Sequence, residues 1–203
     1  MKVTLPRLRT VKLEIRVLGI DGPKHASKKR VRIFGVVFRG NMWLDGVMYT
    51  SVQTDGLDAT QKICRMVRRS SHYGQIRILM LHGLAFAGWN LVDIHLLSKM
   101  LKKPIIVFSE QPQTKRRITA KIRGLPHVED RLSALERAGE PISFKLAEGC
   151  KPAYIHLSGI SRQDAETVLR LTTRGGCMPE PLRVAHLISS AFEALPGKVS
   201  QNV

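Results

Sequence analysis

The sequence predicts an α/β fold: a mixed sheet, in which an antiparallel three-strand meander is extended by parallel strands, flanked by helices. Two observations point to it. Early in the chain, β-branched apolar runs follow one another across short polar connections, and further on helical spacing alternates with short continuous apolar runs. A length of 203 residues at 43% hydrophobic content is enough for one sizeable core.

Residues 13–20 read as a buried strand ending at Asp21-Gly22-Pro23, followed by a basic loop over 24–30. Residues 31–39 form a second strand, Gly40-Asn41 a hairpin turn, and 42–53 a third strand. The period then changes. Asp58 is an N-cap, and Ala59, Ile63, Met66 and Val67 carry helical spacing to about Ser70. Residues 76–81 suit a central strand covered on both faces, 91–101 a helix with Asn90 as its cap, and 104–108 another buried strand. Alternation of this kind implies parallel pairing through helical crossovers. The basic run beyond residue 110, through Arg123-Gly124-Leu125-Pro126, reads as a loop. A helix over 128–138, short strands over 142–146 and 153–157, and a helix to Leu171 capped by Ser161 with Asp164 three residues on complete the middle. The last helix starts at Pro179–Pro181, after the Gly175-Gly176 break, where a proline in the first turn costs no hydrogen bond. The chain reads as one domain over 1–203, with 1–11 and 196–203 as flexible ends.

Thirty-three Lys and Arg against sixteen Asp and Glu give a net charge of +17, an excess that favours polyanions, chiefly nucleic acid. The cations cluster at Lys28-Lys29-Arg30, at Arg65 with Arg68-Arg69, at Lys102-Lys103, and at Lys115-Arg116-Arg117. No apolar run approaches the roughly 18 residues of a membrane span, and no signal core follows the N-terminus. Cys64, Cys150 and Cys177 are widely spaced without a C-x-x-C pair, which fits a reduced intracellular protein better than a disulfide scaffold. A cytoplasmic location is the expectation.

Several acids fall where strands end and helices begin. Asp21 ends the first strand; Asp55 and Asp58 lie between the third strand and the first helix; Asp93 opens the next helix. His82 ends the strand expected beside the first one. Carboxylates gathered at one sheet edge can hold Mg²⁺ and activate water for phosphodiester cleavage. Each has a plainer reading as well: Asp21-Gly22 as a turn, Asp58 as a cap, Asp93 as a complement to the helix dipole, and His82 as a structural histidine. Phe86 and Trp89, in the small-residue stretch 83–90, suit either a stacked base or core packing. Arg183 and His186 stand three apart on the last helix, in reach of a shared phosphate.

The element order is that of a ribonuclease-H-like domain. Four motifs sharpen this: Leu18-Gly19-Ile20-Asp21-Gly22; Asp55-Gly56-Leu57-Asp58-Ala59-Thr60; Leu81-His82-Gly83 with Ala87-Gly88-Trp89-Asn90-Leu91-Val92-Asp93; and Thr172-Thr173-Arg174 with Pro179-Glu180-Pro181-Leu182-Arg183. Over roughly residues 12–192 the chain resembles an archaeal family, described as endonuclease-V-like, whose members have been named endonuclease dU. The resemblance implies metal-dependent cleavage of DNA at deaminated bases, uracil in particular, with Mg²⁺ or Mn²⁺. It implies metal ligands at Asp21 and at Asp58, with Asp55 as the rival, and places Arg183 and His186 near the site. The chain departs from the pattern at His82-Gly83, which stands where endonuclease V carries an Asp-Gly pair. A neutral imidazole there brings less charge and favours softer metals; beside the catalytic Asp21 and Asp58, His82 is then itself a metal ligand or proton-transfer group, with Asp93 as a substitute ligand. The expected nucleic-acid contacts are Arg183, His186, Lys115, Arg116, Arg117 and Trp89. The competing expectation is a non-catalytic nucleic-acid-binding protein on a decayed nuclease fold.

Overall fold

The computed structural model describes residues 13–23 and 28–194; both expected flexible ends, 1–11 and 196–203, fall outside these residues. The strands are β1 (Arg16–Asp21), β2 (Arg30–Arg39), β3 (Trp43–Gln53), β4 (Ile78–His82), β5 (Ala85–Phe86), β6 (Asn90–Leu91), β7 (Ile105–Ser109), β8 (Ile142–Phe144) and β9 (Ala153–Ser158). The helices are α1 (Ala59–Arg69), α2 (Ile94–Leu101), α3 (Lys115–Ile122), α4 (Val128–Ala138), α5 (Arg162–Leu171) and α6 (Glu180–Ala194).

Seven strands form one sheet in the order β3-β2-β1-β4-β7-β9-β8. The meander β1–β2–β3 is antiparallel, β1, β4 and β7 run parallel, and β9 and β8 extend the sheet antiparallel. A separate two-stranded hairpin, β5–β6, follows β4 directly.

Alternation along the strands sorts the core into two layers. Leu18, Ile20, Leu79 and Leu81 pack with Ile63 and Met66 of α1, Leu97 of α2, Ile118 of α3 and Leu135 of α4. Val17, Ile78 and Met80 pack on the other face with Val168 and Leu169 of α5 and Leu182 of α6. This parity fixes the site. Asp21 shares its face with Val17 and Gly19, and His82 shares its face with Ile78 and Met80, so both side chains project toward α6 at the carboxyl ends of neighbouring parallel strands.

Two expectations change. The basic run after residue 110 is not all loop: Thr114 Oγ1 accepts from the Arg117 amide (3.3 Å) and Ile118 and Ile122 bury one face, so α3 forms. The second is the cysteines. Cys150 and Cys177 form a disulfide, because the fold brings Cα atoms 27 residues apart to 5.5 Å, while Cys64 stays free and buried. Among the described residues no helix is long and apolar enough to cross a membrane.

Candidate functional site

Asp21 is 1% exposed, and both its oxygens are engaged. Oδ1 lies 3.2 Å from His82 Nδ1, and Oδ2 lies 2.8 Å from His186 Nδ1. His186 comes from α6, which is laid against β1 without any intervening side chain. A Cβ added to Gly19 would stand 2.3 Å from the carbonyl of Pro181, so only glycine lets the first turn of α6 rest on the strand. The rings of His82 and His186 meet edge to face at 5.8 Å.

Glu110, one residue past β7, completes the set. Its two carboxylate oxygens lie 3.1 and 3.2 Å from His82 Nε2. Three neighbouring parallel strands therefore each deliver one polar group at their carboxyl ends. Burial alone pushes the His82 pKa down, but the close carboxylate of Asp21, the hydrogen-bonded carboxylate of Glu110 and the charge of both outweigh it and raise it from 6.5 to about 9. In the metal-free chain His82 is thus a cation at neutral pH, not the neutral imidazole expected from sequence.

One ligand atom each from Asp21, His82 and His186 lies within 4.8 Å of the others. The first two are buried and His186 faces solvent. His82 Nδ1 is a buried nitrogen without an aligned hydrogen bond, its 3.2 Å approach to Asp21 notwithstanding. A donor set of one carboxylate and two imidazoles, with an orphaned buried nitrogen among them, fits a divalent ion of the Mn²⁺ or Zn²⁺ type better than Mg²⁺.

The other acids lie outside this cluster, because the helices they open pack on the opposite face of the sheet. Asp58 precedes α1 but does not cap it with its side chain. It accepts from the Gln53 amide (3.0 Å) and Asn90 Nδ2 (2.8 Å) and pairs with Arg30 (3.4 Å). The cap is instead the buried Asn90, whose Oδ1 accepts from the Ala59 amide at 3.0 Å. Asn90 was expected to cap the next helix, but that role falls to Asp93, which accepts from the Leu96 amide (2.9 Å) and pairs with Arg137 (2.7 Å). Asp55 accepts from the Trp89 amide at 2.8 Å.

Of the expected phosphate-facing cations, Arg183 is held by Glu180 at 2.6 Å, which raises its pKa. Lys115, Arg116 and Arg117 open α3, just after Gln113, whose Oε1 accepts from the Leu84 amide (2.7 Å) in the loop leaving His82. Lys115 pairs with Glu136 at 2.5 Å. Phe86 is core, at 1% exposure, and Trp89 is partly buried against the same core. Sequence reading missed Glu110 and Arg131. Glu110 was signalled by its place at the end of a short buried strand, where crevice-facing groups collect in open α/β sheets. Arg131, 1% exposed, donates to the carbonyls of Asp55, Trp89 and Gly56 (the last at 3.0 Å), and nothing in the pattern of α4 singled it out.

The family model for Endonuclease dU matches residues 13–193. The chain belongs to the endonuclease dU family. A UPF0215 protein of Methanosarcina barkeri is 40% identical over 183 residues, covering 90% of this chain and 92% of its own. Among solved structures, an Archaeoglobus fulgidus protein of unknown function superposes with a TM-score of 0.78 at 33% identity, covering 87% of this chain and 97% of its own. Endonuclease V of Ciona intestinalis, solved with a 24mer DNA containing an inosine followed by a ribo-adenosine, gives a TM-score of 0.62 at 14% identity, over 92% and 88%. The chain therefore has the endonuclease V fold, the mixed sheet expected from its element order.

Proposed function

We propose that this endonuclease dU family member is a metal-assisted endonuclease that cuts DNA at or near deaminated bases, uracil foremost. The convergence of Asp21, His82 and His186 at one sheet edge carries this reading; family membership and the basic charge support it. Asp21, His82 and His186 would hold the ion, with Mn²⁺ favoured over Mg²⁺ by the two imidazoles. When bound, a divalent ion supplies Lewis-acid activation of water and neutralises charge on the leaving oxygen. The chain's own groups do the rest. Glu110 fixes the orientation of the His82 ring from outside the cluster, as a carboxylate does for a ligating histidine. His186, half-exposed, marks the side from which a phosphodiester arrives. Cytoplasmic DNA repair is the corresponding role.

The test is nicking of a duplex with a single dU·dG pair in the presence of Mn²⁺ or Mg²⁺, by the wild-type protein and by Asp21→Ala. Cleavage by the first and not the second is expected; equal cleavage removes Asp21 from the mechanism. A second reading, a non-catalytic nucleic-acid binder, is favoured by one observation: His82 already bridges two carboxylates as a cation and so offsets one of their two negative charges without a metal. It predicts salt-sensitive binding without metal-dependent product, and activity gained by His82→Asp.

A further inference from the structure

α6 covers the inner strands of the meander and leaves the outer one bare. Val36 and Phe38 of β2 pack under Ala185, whereas Val47 and Tyr49 of β3, on the same face, are 51% and 61% exposed. At the margin of α6 sits a stack. The Arg32 guanidinium lies 5.4 Å from the Tyr49 ring centroid and 4.7 Å from that of Phe192, and Phe34 packs against both rings at 6.2 and 5.4 Å. Such packing holds a guanidinium flat and leaves its edge N–H groups directed outward.

The position is close to the site. Phe34 is the register partner of Asp21, and Arg32 lies two residues further along the same face, about 7 Å, which is two rises of a B-form strand. Phe192 is six residues beyond His186 on α6, about 9 Å along the axis. The charge at this end is positive. Lys28 and Lys29 are exposed beside Arg30, and Arg32 has no carboxylate partner among the described residues. Asp45, on β3, is occupied by Arg16 (2.8 Å) and Arg39 (3.2 Å), which leaves Glu193 as the exposed acid nearby.

We propose that the bare face of β3 beside α6 is a strand-binding surface for the nucleic acid flanking the site, with Arg32 on a backbone phosphate and Tyr49 under an unpaired base. An exposed ring beside a fixed cation is the combination single strands use, since every base has a π-face. The proposal rests on the reading above only in taking nucleic acid as the ligand.

The experiment measures binding without cleavage. A fluorescein-labelled duplex carrying one dU·dG pair and a single-stranded tail is titrated in EDTA between about 50 and 200 mM salt. The proteins are wild type, Arg32→Ala, Tyr49→Ala and Arg77→Ala, the last removing an exposed charge at the opposite end of β4. Arg32→Ala should lower the slope of log K against log salt by about 1. Tyr49→Ala should weaken binding of the tailed duplex roughly fivefold or more. Tyr49 is exposed, so its variant decides the question if Arg32→Ala does not fold. Binding by both variants indistinguishable from that of Arg77→Ala overturns the proposal. So does loss of self-association with unchanged DNA affinity, which would assign the surface to a second copy of the chain. Absence of nicking in Mn²⁺ would count against the proposed activity and leave this result standing.

Discussion

Single residues in this chain gain their meaning from burial. Arg131 is a buried cation bound mainly to carbonyls, and it ties the loop entering α1 to the β5–β6 turn. Replacing it with Met takes the donor from four carbonyls, those of Asp55, Gly56, Trp89 and Pro126, which should cost about 2–4 kcal/mol in denaturant unfolding. A loss under about 1 kcal/mol would show that water replaces the guanidinium. His156 carries a pH dependence. It is buried, with Nδ1 3.3 Å from the Ala138 carbonyl and Nε2 unpartnered, and burial lowers its pKa below 6.5. A depressed pKa means that the unfolded chain binds the proton more readily, so stability is full above 6.5 and falls as pH drops through the folded value. Stability measured between about pH 7.5 and pH 5.5 should decline less in His156→Leu than in the wild type.

At the scale of elements, α6 is the piece that makes the site. Gly19 admits its first turn, and the Cys150–Cys177 disulfide anchors the segment that leads into it. Gly19→Ala should cost about 1–3 kcal/mol by overpacking. It should also weaken Mn²⁺ binding while Asp21 and His82 remain in place, because His186 is carried away with the helix. Opening the disulfide releases a loop of 27 residues, worth about 3.5 kcal/mol in the chain-entropy picture, so reductant should lower the melting temperature. Most elements were legible in the sequence because their periodicity is local: β2, β3, α1, α4 and α5 lie within a residue or two of expectation. α3 was not, since it opens on the charged Lys115-Arg116-Arg117 and only Ile118 and Ile122 mark a face. The disulfide was not, since pairing across 27 residues is decided by tertiary approach.

For the whole molecule, the same division between local and distant information explains the site. The end of β1 and the end of β4 could be placed side by side from topology, which brought Asp21 and His82 together. Which face each acid takes depends on strand parity relative to the helices, and this separates Asp58, Asp55 and Asp93 from the cluster. Glu110 and the proton it helps hold on His82 arise from a third strand. The net charge of +17 acts on every part at once, and DNA binding should weaken steeply as salt rises, by counterion release.

The most direct measurement is anomalous scattering at the manganese edge from crystals soaked in Mn²⁺. One strong peak bounded by Asp21, His82 and His186 is expected, absent in crystals of Asp21→Ala. No peak there, or a peak at Asp58 instead, would contradict the proposed metal site.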